Sequence, residues 1–308
     1  QIANVATVAR RWRSTPRSGE RSDKELWYLS GMPEIPHILM CRPDYYGIEY
    51  EINPWMSRDR QADHALALKQ WTQLVALLED LGAGVSLVEP VRGLPDMVFT
   101  ANAGMIFRKM AVLSRFHHPQ RQGEEFHFQR WFSEHEFSVL IPPDSVTFEG
   151  AGDALFCGDT LLAGYLTRSH AGGHQRIGDL IGRRVIPLEL VDPYYYHLDT
   201  CFCPLNATTA AFFPGAFDDY GRKALNEHVE VLIPVEATES RSLACNAVGV
   251  GEHVVTNVGC PQLHADLRSH GFKPHETPLS EFVKAGGSAK CLTLRLDGEE
   301  AAGWTKRS

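Results

Sequence analysis

The sequence predicts a mixed α/β fold assembled from repeated short units. Two observations carry that prediction. Short apolar runs come in pairs split by Gly, Asp or basic residues, as in hairpins, and each pair is followed by a stretch with helical spacing and another strand-like run. The order returns several times, about five. No linker rich in Ser, Gly or Pro interrupts residues 27–300, so a single domain is expected over 27–302, with a basic flexible arm over 1–26 and a tail over 303–308.

His37 to Arg42 reads as a buried strand closed by Pro43. Leu68, Trp71, Leu74, Val75, Leu78 and Leu81 then recur at helical spacing, and Gly82 supplies a C-terminal stop. Val85 to Val88 follows as a strand. Met105 to Phe107 with Ala111 to Leu113, and Ala154 to Phe156 with Leu161 to Ala163, have the form of hairpins. Further helices are expected near Glu124 to Glu136, Gly173 to Leu180, Asp218 to Val229 and Gln262 to His270.

Composition narrows the function. The 30 Lys and Arg against 38 Asp and Glu give a net charge of -8, which argues against binding nucleic acid through phosphate neutralisation and suits a small cationic substrate. No run approaches the ~20 apolar residues of a membrane-spanning helix, so no membrane partner is expected. The seven cysteines are scattered, without a CxxC pair, which fits reduced thiols in the cytoplasm better than a disulfide framework or a zinc site. Arg10, Arg11, Arg13, Arg17, Arg21 and Lys24 in the first 24 residues offer a mitochondrial targeting remnant as the alternative to a plain flexible arm.

GxxxxGK[ST], GxSxG and HExxH are all missing, and Gly150-Ala151-Gly152 lacks the third glycine of a dinucleotide loop. Four polar clusters remain. Asp96 and Asn102 flank an aromatic in Leu94 to Asn102, while Glu149 and Asp153 bracket the glycine turn of Phe148 to Asp153. His197 and Asp199 stand two apart before an apolar run, so in a strand they would share a face. Cys291 follows the Gly286-Gly287 turn and adjoins Lys290, where a thiolate could be stabilised. Singly, each cluster has an ordinary structural explanation. Together they supply a soft nucleophile, an acid/base and four carboxylates, the needs of attack on a cationic carbon.

In this order the segments FTAN, FEGAGD, HLDT and the GG-x3-C end resemble the guanidino-group modifying, or pentein, superfamily, over most of the chain after residue 36. The resemblance implies a five-bladed ββαβ propeller with pseudo-fivefold repeats about a central site. It implies Cys291 as nucleophile, His197 as general acid/base and Glu149 as the acid that orients the histidine. Asp96 and Asp199 match the positions that grip the guanidinium, and Asn53 and Asn102 match further substrate contacts. Arg121 and Arg168 resemble the arginines that bind the substrate carboxylate, and Asp153 supports the turn or its neighbours. Neither cofactor nor metal is implied. The partner is a small guanidino substrate, and a homo-oligomer is compatible with the resemblance.

Two positions choose among the members. Asp199 after His197-Leu198 follows the deiminase and amidinotransferase pattern, where dimethylargininases usually carry Lys. Asn102 stands where deiminases carry Asp and dihydrolases carry Asn, and an amide can donate to a neutral ureido oxygen as an ionised Asp cannot. The expected reaction is therefore hydrolysis of L-arginine to L-ornithine, carbon dioxide and two ammonia. Dimethylargininase, arginine deiminase and amidinotransferase are the enzyme alternatives, and an arginine-binding scaffold the non-enzyme one.

Overall fold

The structure, a computed structural model, describes residues 36–300. The chain divides into Gln1–Glu34 and Ile35–Ser308, and the described residues all belong to the second unit. The basic arm over 1–26 and the tail over 303–308 lie outside the described residues.

Fifteen strands are described in five sheets of three. Four units run in chain order. The first has β3 (Gly104–Phe107) and β4 (Met110–Leu113) antiparallel, then a helix (Glu124–Glu134), then β5 (Ser138–Leu140) parallel to β4. The second repeats this with β6 (Ala154–Cys157), β7 (Thr160–Tyr165), a helix (Ala171–Ile181) and β8 (Arg184–Glu189). The third uses β9 (Phe202–Pro204), β10 (Thr209–Phe212), a helix (Asp219–His228) and β11 (Val231–Pro234). The fourth uses β12 (Val248–Val250), β13 (His253–Asn257), a helix (Pro261–Ser269) and β14 (Lys273–Thr277). The remaining unit is split. It takes β1 (His37–Cys41), a helix (His64–Asp80) and β2 (Gly84–Val88) from the start of the domain, and β15 (Leu294–Arg295) from its end.

Local chemistry sets the boundaries. The Asp63 carboxylate accepts from the Leu66 amide and starts the 64–80 helix, whose buried face is Ala67, Gln70, Trp71, Leu74 and Leu78. The apolar stripe thus turns slightly from its expected centre, leaving Leu68 and Val75 half-buried. Gln70 enters the buried face because its amide bonds Ser280 Oγ and the Glu281 amide. The Asp218 carboxylate caps the third unit's helix by accepting from the Gly221 amide, and Gly182, left-handed at φ +67°, ends the second.

Apolar clusters join successive units. Leu39, Cys41 and Leu294 of the split unit pack with Ile106, Phe128 and Phe132 of the first. Leu155 and Leu162 pack with Phe202, Phe212 and Leu225 across the second and third. Among the described residues no helix is long and apolar enough to cross a membrane.

Candidate active site

The segment that feeds the first strand of each unit carries the site. Asp96 and Asn102 sit in two short 3-10 turns before β3, and Glu149 starts the turn before β6. His197 and Asp199 belong to the turn before β9, and Cys291 precedes β15. His197 and Asp199 do not share a strand, contrary to the alternation expected of them: residues 198–200 form a 3-10 turn. Side chains impose it. Thr200 donates through Oγ1 to the His197 carbonyl at 2.6 Å, and Asp153 Oδ1 accepts from the Leu198 amide at 3.1 Å, drawing the backbone away from a ladder.

The candidate groups are buried, with Cys291 2% and His197 1% exposed, and Cys291 Sγ contacts Asp199 in the turn that follows His197. His197 Nε2 is 2.7 Å from Glu149 Oε2, which also accepts from Arg168 Nη1 at 3.0 Å, while Glu149 Oε1 accepts from the His117 amide. Burial would raise the Glu149 carboxyl, but Arg168 and His197 outweigh it and hold it well below the usual carboxylate range. Burial pushes His197 down to about 4, with Glu149 opposing. The imidazole is therefore neutral, and its Nδ1 has no hydrogen-bond partner among the described residues.

Cys291 Sγ donates to Asp199 Oδ2 at 3.3 Å. Burial, and then the Asp199 charge, push the thiol well above its ordinary value, so the resting sulfur keeps its proton. Lys290 does not stabilise a thiolate as its place in sequence suggested; its Nζ is 3.1 Å from Glu299 Oε1 in a buried pair. Burial raises Asp199 itself to about 7, with Lys290 opposing.

The other expected residues divide. Asp96 is buried, raised by desolvation against the pull of Arg121, and its Oδ1 is unpartnered, as is Asp199 Oδ1. Arg168 donates to Glu149 and to the Ile52 carbonyl, lies over the Tyr196 ring and leaves Nε unpartnered. Arg121 is more heavily committed than a carboxylate-binding role predicts. It grips Glu124 through Nε and Nη2, both at 2.8 Å, and reaches Asn102 Oδ1 at 2.9 Å and the Asp96 carbonyl at 3.1 Å. Asn102 also donates through Nδ2 to the Glu149 carbonyl at 3.2 Å, which leaves one amide proton. Gly152 makes room for it, since a Cβ there would lie 2.2 Å from Asn102 Nδ2.

Asn53 and Asp153 bond protein rather than face the reactive groups. Asn53 Oδ1 accepts from the Trp55 and Met56 amides and Nδ2 donates to the Ala285 carbonyl, clasping the loop before the first helix to the turn before Cys291. Asp153 accepts from Ser169 Oγ and the Leu198 amide, and burial raises it well above the carboxylate range. The loop over 42–63 lies against the site, held further by Trp55 Nε1 donating to the Tyr194 carbonyl at 2.7 Å. Its Tyr50 hydroxyl is buried beside Asp96, and burial together with that carboxylate pushes the phenol up.

Asn246, in the turn before β12, is the residue that motif reading missed. Its side chain bonds both Cys291 and the Asp199 carbonyl. A signal was present in the repeat: Asn102, Asp199, Asn246 and Cys291 each stand two or three residues ahead of the first strand of their unit. Among the described residues no group of three or more His, Cys, Asp or Glu is arranged to hold a metal ion.

Three buried carboxylates, Asp96, Glu124 and Glu149, thus lie against two guanidinium groups, Arg121 and Arg168, while a fourth, Asp199, lies against the Cys291 thiol. Such a site among five three-stranded α/β units is that of the pentein superfamily. Within it the chain belongs to the dimethylarginine dimethylaminohydrolase family, since the family described as N,N dimethylarginine dimethylhydrolase, eukaryotic, matches residues 43–297. It is 46% identical over 270 residues to the bifunctional arginine dihydrolase/ornithine cyclodeaminase ArgZ of Synechocystis, an alignment that covers 86% of this chain and 38% of that protein. The chain therefore spans well under half of that bifunctional relative. It is 39% identical to the N(G),N(G)-dimethylarginine dimethylaminohydrolase of Mycobacterium tuberculosis, over 86% of this chain and 87% of the other. The N-terminal domain of ArgZ bound to substrate, described as a cyanobacterial arginine dihydrolase, superposes with a TM-score of 0.83 at 44% identity, covering 85% of this chain and 98% of that one.

Proposed function

We propose that the protein is a hydrolase of linear amidines that converts L-arginine to L-ornithine, carbon dioxide and two ammonia. The observation that carries the reading is that, among the buried side-chain atoms without partners in the described residues, four belong to the expected site residues: Asp96 Oδ1, Asp199 Oδ1, His197 Nδ1 and Arg168 Nε. Two acceptors suit the N–H groups of a planar cation through charge-assisted bonds, one basic nitrogen suits a proton in transit, and one guanidinium donor suits a carboxylate. The 44% identity to a substrate-bound arginine dihydrolase domain supports it.

The chemistry follows from the charges. A guanidinium between Asp96 and Asp199 offsets the charge that keeps Cys291 protonated, and the thiol proton passes to His197 Nδ1. The thiolate adds to the guanidinium carbon as the C=N electron pair moves to nitrogen. The imidazolium, steadied by Glu149, protonates the departing nitrogen, and ammonia leaves a covalent thiouronium. His197 then takes a proton from water, the hydroxide adds to carbon, the C–S bond breaks and sulfur recovers its proton. A ureido group remains. A second round consumes another water, releases the second ammonia and leaves a carbamate that falls apart to carbon dioxide and ornithine.

The second round needs a donor for a neutral ureido oxygen, and the proton remaining on Asn102 Nδ2 is suited to it. Arg168 takes the substrate carboxylate in this reading, Arg121 fixes Asn102 and Asp96, and Asn53 and Asp153 hold the surrounding turns. We infer also that the five units, whose feeding segments all carry site residues, close as a propeller about them within a catalytic domain over 27–302. A second reading, dimethylarginine hydrolysis to citrulline, is favoured by the matching family and the Mycobacterium relative.

Mass spectrometry of products from arginine, dimethylarginine and citrulline, with and without an amine acceptor, separates these. The parent should release ornithine and ammonia at one to two from arginine, and Asn102→Asp should stop at citrulline. Citrulline alone from the parent would replace the dihydrolase reading with a deiminase.

A further inference from the structure

Every hydrogen-bonding position of the fully buried Asn246 amide is engaged on the two loops that carry Cys291 and Asp199. Oδ1 accepts from the Ser288 amide at 2.8 Å and the Cys291 amide at 3.0 Å. Nδ2 donates to the Asp199 carbonyl at 2.9 Å and to Cys291 Sγ at 3.1 Å. The residue's own carbonyl accepts from the Lys290 amide at 3.1 Å. A side-chain amide has two acceptor and two donor positions, so none is spare. An amide serving only to satisfy a buried turn has no need to touch a sulfur.

We propose that Asn246 is a catalytic residue, which fixes Cys291 against Asp199 and stabilises the thiolate through its Nδ2 proton. The inference rests on the reading of Cys291 as nucleophile. When the thiol loses its proton, its 3.3 Å contact with Asp199 changes from a hydrogen bond to a repulsion between two anions. The Asn246 N–H is then the side-chain donor on sulfur among the described residues, and its bond becomes charge-assisted. It strengthens in the state that attacks and is weak in the resting thiol, which is the requirement for lowering a barrier. The same amide ties the Cys291 backbone to the Asp199 backbone, so the nucleophile and the carboxylate that grips the cation keep one spacing. The fourth unit thereby joins the other four in supplying the site.

Asn246→Asp keeps the acceptor for the Ser288 and Cys291 amides but removes both Nδ2 bonds and adds charge beside the sulfur, so the uncharged Asn246→Ala, which removes the donor without adding charge, is measured with it. The rate of Cys291 alkylation by iodoacetamide would be followed against pH by the mass of the modified peptide, with Cys291→Ser as blank. Alkylation at pH 8 should be at least about tenfold slower than in the parent, with its profile displaced to higher pH, and kcat should fall about 10²-fold. In Asn246→Ala, a residue that only fills the turn would lower the melting temperature and leave the profile of the folded protein in place. If Asn246→Asp does not fold, Asn246→Gln, which keeps both chemistries one methylene further out, should show the same direction of change. A folded variant with the parent's alkylation profile would overturn the proposal. Alkylation requires no guanidino compound, so a displaced profile in a protein that leaves arginine unchanged would overturn the substrate reading alone.

Discussion

Asp199 meets two opposed demands, and pH divides them. Burial raises its carboxyl to about 7, so the fold prefers the protonated form, whereas gripping a guanidinium needs the anion. A carboxyl raised on folding contributes stability that is complete below its unfolded value near 4 and is lost as pH rises through about 7. Asp199→Asn should therefore flatten the decline in melting temperature between about pH 4 and 8, a difference on the order of 4 kcal/mol at its limits. The parent's kcat/KM should fall in the other direction, dropping as pH goes below about 7. Thermal melts of both proteins and a pH–rate profile of the parent check this, and a parallel pH dependence of stability in the two would refute it. Cys291, His197 and Glu149 stand out in the sequence as polar or soft groups beside a glycine or a turn, and their proposed roles come from the family resemblance. Asn246 could not be found by motif, because Leu-Ala-Cys-Asn-Ala-Val reads as core with one tolerated amide. The neutrality of the thiol was equally hidden, since Lys290 adjoins Cys291 in sequence and pairs with Glu299 in space.

Between β1 and the first helix, residues 42–63 contain no regular element, yet they are tied down at both sides of the site. Asn53 reaches Ala285, Trp55 reaches Tyr194, and the Ile52 carbonyl receives Arg168, itself bonded to Glu149. Gly286 permits the approach: it is left-handed at φ +83°, and a Cβ there would lie 2.7 Å from Trp55. Cys291 and His197 are buried and this loop lies against the site, so its opening is the expected route for a substrate. Asn53→Ala removes three main-chain contacts worth about 1 kcal/mol each. It should raise KM about fivefold or more with kcat nearly kept, and it should speed proteolysis within 43–63 and lower the melting temperature by a few degrees. An equal fall in kcat with KM unchanged would place Asn53 in the chemical step instead. The helices of the four contiguous units are legible to within two residues, whereas the helix read from Leu68 begins four residues earlier, at His64, because its first turn is exposed and carries no apolar stripe. The three-residue strands β9 and β12 are not legible, because so short a run has no measurable alternation.

At the scale of the molecule, the split unit is completed by one antiparallel pairing of the domain's two ends. Ile38 pairs with Arg295 and Leu39 with Leu294, and the Leu296 amide donates to the His37 carbonyl at 2.7 Å. The recurring order of strands and helices was visible in sequence, but this closure was not, because the split unit has no contiguous signature and β15 is only two residues long. If the five units are equivalent, the position of the break in the chain is arbitrary. A permuted chain that begins at Glu252, runs to Glu300, continues through a short linker to Pro36 and ends at Gly251 keeps every sheet, since Gly251 and Glu252 form an exposed turn between β12 and β13. It should fold and keep kcat/KM within about tenfold of the parent, because Cys291 still enters from β15 and Asn246 from the turn before β12. A chain ending at Cys291 loses β15, exposes the edge of β1 and uncovers Leu39 and Ile106, and it should neither melt cooperatively nor turn over substrate. Circular dichroism melts and the ornithine assay on both chains decide the matter: an inactive, unfolded permutant would show that the break between 300 and 36 is structurally required and that the units are not interchangeable in order.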